Sequence, residues 1–361
     1  MIVGSSSSGR VVSLHSMQQV VEPIRVVVAD DSTVMRRIIG DALRATGRIS
    51  IVAEASDGAE AISRCSELNP DVLTLDLSMP NVTGIDVLAA LQASRSTVCV
   101  VVVSSFSPAL VEQALDVLDA GAADLVPKPG IGAGFEHFTE QLRVTVLAIA
   151  AARRRPAATG EPARSRVQRD RSDTGRVLAF ASSTGGPRAL GRIVPLLGCD
   201  IGAGGVIVQH MPEGFTAALA NRLDAASELD IREAANGDSI RPSTLLVAPA
   251  GRHLRFRDGR ARLDDAAPVG GLRPRADLTV CDLAEDLGPR LVLVVLTGMG
   301  NDGLDGARAT RDAGGIVLAQ AESDCVVYGM PRHVIEHDLA DAVATSSELA
   351  ALIGKALAEP C

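Results

Sequence analysis

Two groups of residues in this chain have the types and spacing to do chemistry. In the first half, Asp30 and Asp31, Asp76, Ser104 and Lys128 each stand at the end of an apolar run. In the second half, Ser183, His210 and Asp302 stand in or beside turns marked by glycine or proline. Carboxylates gathered with a lysine and a hydroxyl are what a phosphate-accepting site requires. A serine, a histidine and an aspartate are what covalent acyl transfer requires.

Three carboxylates brought together repel, and persist only with a cation among them or with raised pKa values. Short acidic side chains that offer oxygen alone suit Mg²⁺, which keeps several waters and also takes a phosphate oxygen. The carboxylate left free is then a nucleophile toward phosphorus. Lys128, just before Pro129, can pair with the transferred phosphoryl group, and Ser104 can donate a hydrogen bond to it. Taken singly, Asp31 reads equally well as a helix N-cap. The set as a whole does not, because acids end the first and third apolar runs, a hydroxyl the fourth and a Lys-Pro the fifth.

In the second half, an apolar run enters Ser182-Ser183-Thr184-Gly185-Gly186-Pro187, with the proline at an expected helix start. Such a turn sets a hydroxyl among free backbone N–H groups. Alone it reads also as a phosphate loop or a capped turn, although the Gly-Lys-Ser/Thr ending of a P-loop is missing. His210 ends a second apolar run, and a lone histidine there is more often structural. Asp302 lies in Gly-Met-Gly-Asn-Asp-Gly at 298–303, where three glycines bring backbone close to something. Together the three are coherent: a neutral histidine activates the serine, and the carboxylate orients the ring. The order Ser, His, Asp and the lack of a G-x-S-x-G elbow argue against a common esterase or lipase.

The elements that must position these residues alternate. Strands are expected at 24–29, 49–54, 71–76, 98–103 and 124–126, with amphipathic helices between them. In the helix at 34–46, Val34, Ile38, Ala42 and Leu43 share one face. That alternation implies a parallel sheet covered on both sides, with ligands at the carboxyl ends of its strands. Residues 152–176 break the pattern with eight arginines, two prolines and three acids, and read as a linker. Further strands are expected at 177–181, 205–209, 229–233, 245–248, 291–296 and 315–318. Asp258-Gly259 suits a tight hairpin turn between 253–257 and 260–263. The expected organisation is a loose tail at 1–23, an α/β domain at 24–151, the linker, and a second, mostly parallel α/β domain at 177–361. Met17 is an alternative start within that tail.

Composition excludes several classes. The chain has 361 residues, 47% of them hydrophobic, which fits two globular domains. A formal charge of −9 and 2% aromatic residues argue against a nucleic-acid partner. The six cysteines form no C-x-x-C pair, so reduced, mostly structural thiols and a cytoplasmic location are expected. No signal peptide or membrane span is read, and the protein is not expected to insert in a membrane.

Residues 24–151 resemble the receiver domain of two-component response regulators, through VVVADDS, LTLDLSMPNVTG, VVVSS and LVPKP. The resemblance implies a five-stranded flavodoxin-like fold with Asp76 as phosphoacceptor. Asp30, Asp31, Asp76 and the Ser78 carbonyl would hold Mg²⁺, Ser104 would be the switch hydroxyl and Lys128 the phosphate contact. Leu125 stands where the family often has an aromatic residue.

Residues 177–361 resemble the catalytic domain of chemotaxis protein-glutamate methylesterases, through ASSTGGP, QHMPEGFT, APAGRHL, LTGMGNDG and AQAESDCVVYGMPR. This implies Ser183 as nucleophile, not Ser182, with His210 as base and Asp302 as its orienter. Met299 N–H becomes an oxyanion donor, with Thr184 and Gly185 in the active-site loop. The implied reaction is hydrolysis of glutamate γ-methyl esters on chemoreceptor helices, with glutamine deamidation as a second activity and no cofactor for the ester step. The implied phosphodonor is a histidine kinase, and the enzyme is expected to be a monomer. The unphosphorylated receiver is expected to pack across the catalytic mouth. The family commonly reads Arg-Pro-Ser where this chain has Arg273-Pro274-Arg275. Two other readings are a non-catalytic phospho-switch that only binds a partner, and a regulator acting on DNA.

Overall fold

The computed structural model describes residues 22–105, 108–130, 135–154, 175–199 and 201–358. The expected tail before residue 22, with Met17, most of the arginine-rich linker and Cys361 lie outside the described residues.

The first domain runs β1 (Ile24–Ala29), α1 (Thr33–Arg44), β2 (Ile49–Ala55), α2 (Gly58–Leu68), β3 (Val72–Leu75), α3 (Gly84–Ala93), β4 (Cys99–Ser104), α4 (Pro108–Asp119), β5 (Asp124–Pro127) and α5 (Phe135–Arg154). Polar residues start its helices. Ser32 caps α1 by accepting from Met35 N, Asp57 caps α2 through Glu60 N, and Thr83 with Asp86 closes a capping box on α3. The sheet is parallel throughout, in the order β2-β1-β3-β4-β5. Ala29 pairs with Leu75 across β1 and β3, so Asp30 and Asp76 leave the sheet side by side.

The second domain runs β6 (Val177–Ser182), α6 (Gly186–Ile193), β7 (Gly205–Gln209), α7 (Phe215–Ala226), β8 (Asp230–Glu233), β9 (Thr244–Val247), β10 (His253–Arg257) and β11 (Arg260–Asp264). It continues with α8 (Ala276–Leu287), β12 (Leu291–Val295), α9 (Leu304–Asp312), β13 (Ile316–Gln320), α10 (Met330–Glu336), β14 (Ala342–Ala344) and α11 (Ser346–Ala358). Its seven-stranded sheet is parallel, ordered β14-β13-β12-β6-β7-β9-β8. After β6 the chain builds outward on one side, then returns to lay β12 on the other. The crevice that such a reversal opens lies at the carboxyl ends of β6, β7 and β12. Strands β6, β7 and β12 are buried along their whole length, as the apolar runs require for a sheet covered on both faces.

The expected strands form with ends moved by a residue or two. The stretch expected at 71–76 is a strand only over Val72–Leu75, because Asp71 turns to accept from Arg25 N and Arg154. Helix α5 continues to Arg154, three residues past the expected boundary at Ala151. The hairpin β10–β11 forms a separate two-stranded sheet, with Asp258 and Gly259 both at positive φ as its primed turn requires. Strand β14 was not expected, since three residues are too short for alternation to register. Among the described residues no helix is long and apolar enough to cross a membrane.

The two domains are packed together. Phe215 and Ala218 of α7 join the apolar cluster formed by α2, α3 and α4 of the first domain. Arg222 of α7 reaches Asp116 and Asp119 of α4, at 2.7 Å each.

Candidate active site and phosphoacceptor site

Ser183, His210 and Asp302 stand just beyond the ends of β6, β7 and β12. Ser182 pairs with Gln209 in the sheet, so Ser183 and His210 are the first residues past a matched pair. His210 N donates to Ser182 O at 3.0 Å, and Ser183 N donates to Thr297 O at 3.0 Å. The glycine loop closes on the serine: a Cβ added at Gly298 would fall 2.8 Å from Ser183 Cβ. Only glycine permits that approach.

His210 Nε2 lies 2.7 Å from Asp302 Oδ2. The same carboxylate accepts from Ala276 N at 2.7 Å, Asp277 N at 2.9 Å and Gly303 N at 3.0 Å. Burial alone would raise Asp302, but the hydrogen bonds from His210 and from the first amides of α8 hold it well below the usual carboxylate range. An ionised Asp302 accepts, so Nε2 carries the proton and Nδ1 keeps a lone pair. Nδ1 is buried and has no partner among the described residues. It is the nitrogen available as a base, the reverse of the ring usage in the chymotrypsin-type triad.

The amide groups of Thr184, Gly185 and Met299 have no acceptor among the described residues. Gly185, at φ +79, is the N-cap of α6, whose first amide, Gly186 N, donates to Ser183 O at 2.8 Å. Ser183's own N–H is spent on Thr297 and is not available to an oxyanion.

Sequence reading missed four residues that hold this arrangement. Gln209 accepts from Ser182 Oγ at 2.6 Å and donates from Nε2 to Ser183 O and His210 O at 2.9 Å each. One carboxamide thus ties the serine turn to the histidine turn. Thr297 Oγ1 links Thr184 O to Val327 N behind the glycine loop. Asp277 accepts from Gly303 N and Gly306 N and so caps α9. Asp124 of β5 accepts from Thr184 Oγ1 at 2.5 Å, across the domain boundary. The available signal for Gln209 was a carboxamide closing an otherwise apolar, buried strand. Ser182, adjacent to the matched serine, is buried and bound to that carboxamide.

In the first domain, one carboxylate oxygen from each of Asp30, Asp31 and Asp76 lies within 4.8 Å of the others. Asp31 is exposed and is not the α1 cap, a role taken by Ser32, whose N donates to Asp30 Oδ1 at 2.9 Å. Ser78 N donates to Asp76 Oδ1 at 3.3 Å. Lys128 Nζ sits 2.8 Å from both Asp30 Oδ2 and Asp76 Oδ2. Burial raises the Asp30 carboxyl above its ordinary value, although Lys128 opposes this. Burial works equally against the lysine ammonium, and the two carboxylates more than offset it, leaving Lys128 above the ordinary lysine value. Ser104 Oγ is buried without a partner, facing no competing acceptor among the described residues. Leu125, at the expected switch position, is packed into the apolar cluster on the α2–α4 side.

Replacing Gln209 by leucine removes one acceptor and two donors from buried partners at nearly constant volume. Each orphaned group costs about 1–3 kcal/mol. The Gln209→Leu protein is expected to show a lower urea midpoint for its second domain; an unchanged midpoint would contradict the clamp.

Comparison with known proteins finds a match for each half of the chain. Residues 178–353 match the family model described as CheB methylesterase, and residues 26–134 match the response regulator receiver domain. The chain is 40% identical over 359 residues to a protein of Symbiobacterium thermophilum named protein-glutamate methylesterase/protein-glutamine glutaminase, covering 94% of this chain and 99% of that one. It is 43% identical over 320 residues to one of Anaeromyxobacter dehalogenans with the same name and the number 4, covering 87% and 89%. The crystal structure of the Thermotoga maritima CheB methylesterase catalytic domain aligns at 39% identity and a TM-score of 0.49, covering 51% of this chain and 99% of that chain. This chain belongs to the CheB methylesterase family, with a response regulator receiver domain ahead of its methylesterase domain.

Proposed function

We propose that this chain is a phosphorylation-regulated chemotaxis methylesterase that hydrolyses glutamate γ-methyl esters on chemoreceptors. The observation that carries its regulation is that a receiver acid, Asp124, is bonded to the turn that holds Ser183. Thr184, next to Ser183, is bonded to Asp124. Met211, next to His210, packs on the cluster that Phe215 and Ala218 of α7 share with α2–α4. Met299, in the loop before Asp302, packs against the cluster that Val327 shares with α1 and α5 of the receiver.

Ser183 Oγ attacks the ester carbonyl as His210 Nδ1 takes its proton. Asp302 holds the imidazolium through Nε2. The oxyanion is met by the free amides of Met299 and the Thr184–Gly185 turn, each key donor being worth about 3–4 kcal/mol in comparable sites. His210 returns the proton to methanol as it leaves, and water then releases glutamate from Ser183 by the same steps. A glutamine amide would follow the same route with ammonia leaving, which is the glutaminase activity.

In the receiver, the acid cluster fits a divalent cation: three convergent carboxylates offer oxygen alone, and one lysine balances only part of their charge. Asp30, Asp31, Asp76 and the Ser78 carbonyl would hold Mg²⁺, which supplies charge neutralisation for the phosphoryl oxygens. Asp76 takes the phosphoryl group from a chemotaxis histidine kinase in the cytoplasm. Lys128 is positioned to leave the Asp76 carboxylate for the phosphoryl oxygens, and Ser104 Oγ is unengaged and able to donate to them. Ser104 ends β4 and Lys128 follows β5. The segment between them carries Asp116, Asp119 and Asp124, the acids that grip Arg222 and Thr184. Movement of the two phosphate contacts therefore acts directly on the docking residues.

Methanol release from methylated receptor membranes tests this reading. An acyl-phosphate donor is expected to stimulate the wild type and not Asp76→Asn. Ser183→Ala should fall to background, and Asp302→Asn should lose on the order of 10⁴-fold. Stimulation that survives in Asp76→Asn removes the regulatory reading, and methanol release by Ser183→Ala removes the triad.

Burial pushes the Asp124 carboxyl up to about 6, against the hydrogen bonds from Thr184 and Leu125. A carboxyl raised on docking supports the docked state fully below its ordinary value of 3.8, and that support is lost as pH rises through about 6. Asparagine keeps the acceptor and removes the titration. Relative to Asp124→Asn, the unphosphorylated wild type is expected to gain activity severalfold as pH rises through that window. A ratio that does not change with pH would contradict it.

A further inference from the structure

Arg275 is out of place by local rules. It is the N-cap of α8, where the helix dipole disfavours a cation, and it makes no capping hydrogen bond. It is also the residue at which this chain departs from the Arg-Pro-Ser of its resemblance. Its surroundings explain it. Arg275 Nη2 donates to Asp277 Oδ2 at 2.7 Å, and Nε lies 3.6 Å from Asp302 Oδ1. The guanidinium is largely buried, and Nη1 points to Val269 O at 3.4 Å. The charged groups around this point are His210 beyond β7, Asp302 beyond β12, Asp277 in α8 and Asp305 in the first turn of α9. Asp302 is bonded to the histidine, Asp277 stands beside it, and Asp305 is paired with Arg308, so Arg275 is the cation on the two buried acids.

We propose that Arg275 and Asp277 form a counter-charge pair on the catalytic acid, acting as positioning residues that set the pH at which His210 becomes competent as a base. The inference rests on the Ser183–His210–Asp302 reading. The positive charge weakens the pull of the acid cluster on a proton at His210, so the ring is free to accept from Ser183 at lower pH. Asp277 works in the opposite sense. Its carboxyl is pushed up to about 6 by burial and by the charge of Asp302, so the arginine also helps to keep it ionised. The pair is close to neutral as it stands, and removing either member unbalances it in a known direction.

The test is the pH dependence of kcat/KM for methanol release by the full chain with an acyl-phosphate donor. Arg275→Gln keeps length and donors but not charge, and is expected to move the acid limb to higher pH by about half a unit. Arg275→Lys is expected to leave the limb near the wild-type position. Asp277→Asn, which still accepts from Gly303 and Gly306, is expected to move it to lower pH. The double variant Arg275→Gln/Asp277→Asn should return it toward wild type. Superimposable profiles for Arg275→Gln and wild type overturn the proposal, as does a lysine variant displaced as far as the glutamine one. If Arg275→Gln does not fold, the downward shift in Asp277→Asn decides alone. Ser183→Ala and His210→Ala separate the two readings. Activity in either removes the triad itself, whereas inactive triad variants with an unmoved acid limb remove only the role of Arg275.

Discussion

A parallel sheet must place all its strand-to-helix turns at one edge, and where the order of strands reverses those turns part and leave a crevice. Both domains depend on this constraint. In the receiver the reversal falls between the paired strands β1 and β3 and gathers Asp30 and Asp76 with Lys128. In the catalytic domain β6 is central, flanked by β7 and β12, and the turns after these strands carry the serine, the histidine and the aspartate, with His210 and Asp302 in hydrogen-bond contact. Two unrelated chemistries therefore occupy equivalent places in two sheets.

The second requirement is that carboxylates in these crevices be tolerated. A buried, unpaired carboxylate gives up its charge rather than its burial. The two sites meet this differently. Lys128 divides itself between Asp30 and Asp76. Asp302 relies on backbone amides at the start of α8 and on His210, partners that do not move away. The first site is held by one ion-paired side chain, and Asp302 largely by backbone amides.

The interface joins the two. Its polar contacts come from α4 and β5, bounded by Ser104 and Lys128, and its apolar contacts include Phe215 and Ala218 of α7 and Val327. Asp124 is the most costly of these contacts, since it must keep a carboxyl buried against a hydroxyl.

Much of this was legible in the chain. Apolar runs and turn residues located nearly every strand, because strands buried on both faces need uninterrupted apolar sequence. The sites were legible because their residues fall at strand ends and because the surrounding motifs are specific. Strand β14 was not legible, being too short to show a pattern. Nor were Gln209, Asp277 and Asp124, whose partners lie 26, 29 and 60 residues away. The sequence by itself determined which residues can do the chemistry and in which turns they stand, since both follow from local pattern. Only the tertiary structure decided that Nε2 of His210 faces the acid, that Arg275 answers two carboxylates, and that receiver Asp124 reaches the serine turn. Those depend on register between distant strands and on packing between domains, which no local stretch of sequence contains.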